Sequence, residues 1–69
     1  MNPVVPIQAA RLEMQIKNTH VRPDDPFIEL ATSFLRSGMD RVKLVKILCA
    51  DTGLPKAIAI VRIAARKAR

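Results

Sequence analysis

Apolar positions along this chain follow two rhythms. Phe27, Leu30, Ala31, Phe34 and Leu35 recur at helical spacing and predict an amphipathic helix over about 26–37. Asp25 stands where a side-chain cap is wanted, Pro26 suits a first helical position, and Gly38 suits a left-handed terminating residue. Asp40 caps a second helix over about 40–51. Its buried face is Val42, Val45, Leu48 and Cys49, widened by Leu44 and Ile47, with Arg41, Lys43 and Lys46 outside. Thr52-Gly53-Leu54-Pro55 then turns the chain into a third helix over about 55–67. Only Lys56 and Arg62 interrupt its apolar run of Ala57, Ile58, Ala59, Ile60, Val61, Ile63, Ala64 and Ala65.

The second rhythm has a period of two. Ala10, Leu12, Met14 and Ile16 alternate with Arg11, Glu13, Gln15 and Lys17, the pattern of a strand over 10–17 with one buried face. Intrinsic propensity points the other way, because these residue types are good helix formers. A strand needs a partner for its backbone groups, and no second strand is visible. The natural solution is the same strand from another subunit. The third helix argues alike, since a helix apolar almost all round must be covered on more than one side. The expected fold is therefore mainly α. It is a small dimeric helical domain over 10–69 with one short strand pairing across the dimer, preceded by an extended arm over 1–9 that carries Pro3 and Pro6. Leu12, Met14, Ile16, Ile58, Ile60 and Val61 would form the core and the dimer contact.

Size supports this picture. The chain has 69 residues, 49% of them apolar but only Phe27 and Phe34 aromatic, which is too apolar for disorder and small for a self-sufficient core. Charge adds a direction. Residues 1–36 carry four basic and four acidic side chains, whereas residues 37–69 carry eight basic against two acidic, so the second half holds the whole net charge of +6. A basic surface suits nucleic acid, an anionic membrane or an acidic protein face. Cys49 is the only cysteine, which leaves no internal disulfide and no zinc cluster. The first residues lack the pattern of a secretion signal and no apolar run reaches membrane-spanning length, so the cytoplasm is the expected compartment.

Catalysis finds little to work with. His20 lies in the polar connector 18–25 with no base or ligand partner at a fixed spacing, and its plain account is an exposed loop histidine. Asp24 and Asp25 are better explained by helix capping than as paired catalytic carboxylates. No credible set of three or four metal ligands occurs. Neither an enzyme, nor a cofactor, nor a small-molecule substrate is expected.

Nucleic acid is the sharper question. Thr52-Gly53-Leu54-Pro55-Lys56 resembles the turn of winged-helix repressors of the isopropylmalate-lyase-regulator type. That family implies polar base-reading residues after the turn, where this chain has Ala57, Ile58, Ala59 and Ile60. The hairpin from Lys43 through Gly53 to Ala57 is also similar in geometry to that of the ribosomal stalk protein, without the strands around it. After the Gly53 turn only Lys56 and Arg62 could reach DNA, as phosphate contacts. A ribbon–helix–helix dimer would instead present Arg11, Glu13, Gln15 and Lys17, and against it Glu13 would face phosphate-rich DNA. An anionic membrane surface is disfavoured by the lack of interfacial Trp or Phe on the last helix.

Through the strand-like Arg11–Lys17, the hairpin Arg36-Ser37-Gly38-Met39-Asp40-Arg41-Val42-Lys43 and the segment Ala57–Arg69, the chain resembles small early proteins of Mu-like Pseudomonas phages, of the anti-quorum-sensing type. The resemblance implies a homodimer that binds a LuxR-type receptor–regulator of the bacterial host and keeps it off DNA. It implies the type IV pilus assembly ATPase as a second target. The residues best suited to such a contact are Arg41, Lys43, Lys46 and Arg62, with Phe27 as an aromatic anchor. A regulator's own DNA surface is basic and would repel this face, so the contact would need either the neutral first half of this chain or an acidic flank of the target.

Overall fold

A computed structural model describes residues 7–69, with side-chain surroundings from residue 10 onward. It contains four helices: α1 (Ile7–Asn18), α2 (Pro26–Arg36), α3 (Arg41–Thr52) and α4 (Leu54–Lys67). The described residues include no strand.

The helix boundaries follow from local chemistry. The Asp25 carboxylate accepts from the Phe27 backbone N–H at 2.9 Å, and Pro26 opens α2. Gly38, at φ +95°, terminates the same helix. The Asp40 carboxylate accepts from the N–H groups of Val42 and Lys43 at 3.1 and 3.3 Å, which starts α3. Between α3 and α4 a single residue, Gly53, turns the chain at φ 84°, ψ 157°, a combination essentially confined to glycine. α4 begins one residue earlier than the sequence suggests, with Leu54 ahead of Pro55.

α4 is the central element, packed against each of the other three helices. Lys56 pairs with Asp25 at 3.6 Å at the start of α4, and the Arg36 guanidinium donates to the Lys67 carbonyl at 3.2 Å at its end, so α2 and α4 run parallel. α3 returns antiparallel, and its first residues, Arg41 and Val42, border a hollow with Ala65 and Ala68. Ile28, Ala31, Leu44, Leu48, Ala57, Ile60, Val61 and Ala64 fill the space between α2, α3 and α4. Thr32 is buried beside them and donates its hydroxyl to the Ile28 carbonyl at 2.7 Å. The alanines on α4 let its neighbours approach closely, which explains how so small a chain hides so apolar a helix.

Three expectations are corrected. First, residues 10–17 lie in a helix and not in a strand. Leu12 and Ile16, at i and i+4, turn toward α4, half-buried and buried respectively, while Met14 is 63% exposed. Helix propensity outweighs the alternation because α1 meets α4 alone among the described helices, and so narrow a seam needs only an i, i+4 pair. Of the arm expected over 1–9, residues 7–9 belong to α1 and residues 1–6 lie outside the described residues. Secondly, α4 does not require a second copy for its cover. Ile60 and Val61 are buried against helices of the same chain, and Ile58 is half-buried. Thirdly, the inner face of α3 is narrower than its pattern implies. Leu44 and Leu48 are buried and Val45 and Cys49 half-buried, but Val42 and Ile47 stand 62% and 45% exposed. On α2, Leu30 is likewise exposed and Ile28 takes the core position.

Candidate partner-binding surface

The outer face of α3 combines cations with apolar side chains. Leu44 and Leu48 fix the helix rotation by packing into the core. At 100° per residue this turns Val42, Lys43, Lys46, Ile47 and Ala50 outward, and all five are exposed, as is Arg41 at the first position. Arg41, Lys43 and Lys46 make no ion pair among the described residues. Asp40, beside Arg41, has its carboxylate occupied by two backbone N–H groups, and Asp51 near the end of α3 makes no ion pair either. The exposed side of α3 therefore presents Val42 and Ile47 about 140° apart around the helix, with Lys43 and Lys46 between them and the exposed Asp51 one turn beyond Ile47.

The remaining sequence-derived candidates lie elsewhere. Arg62 projects from the other flank of α4 onto α1. Its Nη2 donates to Glu13 Oε1 at 2.7 Å and its Nη1 to Glu13 Oε2 at 3.3 Å. This two-pronged contact lowers the Glu13 carboxyl below its ordinary value, chiefly through the hydrogen bond from Arg62, and raises Arg62 above its own for the same reason. Arg62 is thus an intramolecular clasp for α1, with Glu13 as its partner. Their separation of 49 positions leaves no local signal. Phe27 is half-buried in the first turn of α2 and packs on the core. The stretch of α2 from Phe27 to Arg36, roughly 14 Å at the usual helical rise, separates Phe27 from the end where Arg41 lies, and Arg62 is turned onto α1, so the structure does not bring Phe27 and Arg62 to the α3 face.

The nucleic-acid candidates are also dispersed. Arg11, Gln15 and Lys17 are exposed on α1, where a helix replaces the ribbon that would carry them into a groove. Lys56 is half-buried and paired with Asp25. Ala57, Ala59 and Ile60 point into the molecule, so the positions where a recognition helix needs base-reading side chains are occupied by core. Among the described residues no group of three His, Cys, Asp or Glu side chains could hold a metal ion, and no helix is long and apolar enough to cross a membrane. Comparison of the chain with protein-family models, with curated proteins and with solved structures gives no match.

Proposed function

We propose that this chain is a non-enzymatic regulatory protein that binds another protein through the outer face of α3 and inhibits it by covering its working surface. The observation that carries this reading is the exposure of Val42 and Ile47 on the helix that also exposes Arg41, Lys43 and Lys46. Interface energy concentrates in a few central, desolvated side chains, while the surrounding charges steer and align the partner. The complementary surface is an apolar patch edged by carboxylates. The resemblance to phage anti-quorum-sensing proteins supplies the partners to try first, a LuxR-type receptor–regulator and the type IV pilus assembly ATPase, both in the cytoplasm of a bacterial host. A regulator's DNA-reading surface is itself basic, so the contact falls on an acidic flank and blocks DNA sterically.

The test is inhibition of operator binding by a purified LuxR-type regulator, with pilus ATPase turnover measured in parallel. Wild-type protein is expected to inhibit. An Ile47→Asp variant, which places a solvated charge on an exposed position and leaves the core alone, is expected to lose inhibition at least tenfold, about 1.4 kcal/mol of binding. Full inhibition by Ile47→Asp would overturn the surface assignment. Indifference of both targets to the wild-type protein would overturn the partner assignment.

A further inference from the structure

We infer that α1 is an exchangeable arm: two copies of this chain trade their first helices, each laying its α1 on the α4 of the other. The contact is separate from the α3 face. It also makes a dimer by a route different from the paired strands that the sequence suggests.

A single seam holds α1 to the molecule. It meets α4 and no other described helix. Ile16 and Ala59 are buried apolar side chains that stand outside the main core, and they line one hollow together with Ile63. Among the described residues, the side-chain hydrogen bonds and the ion pair that cross the seam all join Glu13 to Arg62. Beyond α1 the connector is soon anchored again, because Val21 is half-buried and packs on the core. Thr19 and His20 alone lie between the helix and that fixed point. They are the hinge.

The seam itself selects a second copy as the occupant. An α1 that swings out uncovers Ala59 and Ile63 beside the Arg62 guanidinium. The complement to that strip is an apolar pair at i and i+4 with a carboxylate next to the first, which is Leu12, Glu13 and Ile16. A second copy carries this complement unchanged, so exchange re-forms every contact of the seam between chains and alters only the hinge. α2, α3 and α4 keep their shared core throughout, since no described side chain of α1 belongs to it. Closure within one chain and exchange between two therefore differ by the hinge and by the entropy of association, and the dimer grows with concentration.

The experiment is sedimentation equilibrium of the full chain, alone and in mixtures of charge-reversed variants. Wild-type protein should dimerise as its concentration rises. Glu13→Arg and Arg62→Glu each set like charges together, within a closed chain and equally in a dimer of one variant. Each alone should therefore dimerise no more tightly than wild type. Mixed one to one, they can relieve the repulsion only by exchange. One seam then pairs Glu13 with Arg62, and the other pairs the introduced arginine with the introduced glutamate. The mixed dimer should be about tenfold tighter than the wild-type dimer. Both substitutions in a single chain restore the pair within it, and that chain mixed with wild type should favour dimers of its own kind. A wild type that stays monomeric at every soluble concentration would overturn the inference, as would a mixture that sediments as the sum of its two components. Ile47→Asp should leave exchange unaltered, which separates this outcome from that of docking on α3. A dimer abolished by Ile47→Asp would move the contact to α3 and overturn the exchange.

Discussion

Adjacent residues on α3 offer the most direct test of how this helix divides its labour. Leu48 is 1% exposed and Ile47 45% exposed, yet they are neighbours of similar size on one helix. Leu48→Ala deletes a fully buried side chain from the core between α2, α3 and α4. Buried Leu→Ala replacements cost about 2–5 kcal/mol, more when the cavity stays open, so about 3–4 kcal/mol is expected. A chain of this length holds roughly 3–10 kcal/mol in total, so the variant keeps about two-thirds of its stability at the top of that range and none at the bottom. Ile47→Ala leaves no cavity. It forfeits about 1 kcal/mol of partial apolar burial and regains a few tenths through the better helix propensity of alanine, for a net loss near 0.5 kcal/mol. With a urea dependence of about 1 kcal/mol per molar, the unfolding midpoint followed by far-UV circular dichroism should drop by roughly 3 M for Leu48→Ala and about 0.5 M for Ile47→Ala. Equal drops for the two variants would refute the division of α3 into a packed inner face and a free outer one, and with it the docking surface.

Two further outcomes follow from the turn and from the clasp. Gly53→Ala meets no steric obstacle, since no atom lies within 4 Å of the added Cβ, but it forces φ 84°, ψ 157° on an alanine. The expected cost is about 1–3 kcal/mol, seen as a lower thermal midpoint, and an unchanged midpoint would contradict the turn geometry. The Glu13 carboxyl is lowered below 4.5 by its hydrogen bond with Arg62. Its contribution to holding α1 is therefore complete above the ordinary carboxylate range and disappears as pH falls through that lowered value. Backbone amide shifts of α1 should move with that transition while those of α3 do not, and Glu13→Gln should abolish the dependence. An α1 transition that persists in Glu13→Gln would reject the clasp.

Much of the fold was legible where a residue's chemistry acts locally. Asp25, Pro26, Gly38, Asp40 and Gly53 each mark an element boundary within a few residues of themselves, and all of them do so here. What the pattern could not supply was the partner of each face. Residues 10–17 satisfy both a period of two and helix propensity, and the choice was made by a contact with α4, 49 positions away at Glu13–Arg62. Val42 and Ile47 fit an inward apolar stripe by spacing, but α4 covers only the seam along Leu44 and Leu48. Arg41, Lys43 and Lys46 were correctly placed outside, whereas Arg62 was not separable from them until Glu13 had been brought beside it. Long-range pairings are invisible to periodicity, and here they decide both the first helix and the reach of the candidate site.

Among the residues whose side chains are described, the core that joins α2, α3 and α4 contains none from α1. Consequently the three later helices form a cooperative unit that can assemble before α1 arrives, with short loops that favour rapid closure. α1 then behaves as a separate folding unit, opening at a lower free energy than the rest. Amides along Leu12–Lys17 should exchange with solvent deuterium well before those around Leu44 and Ile60, so that the molecule loosens from one side while its centre stays intact.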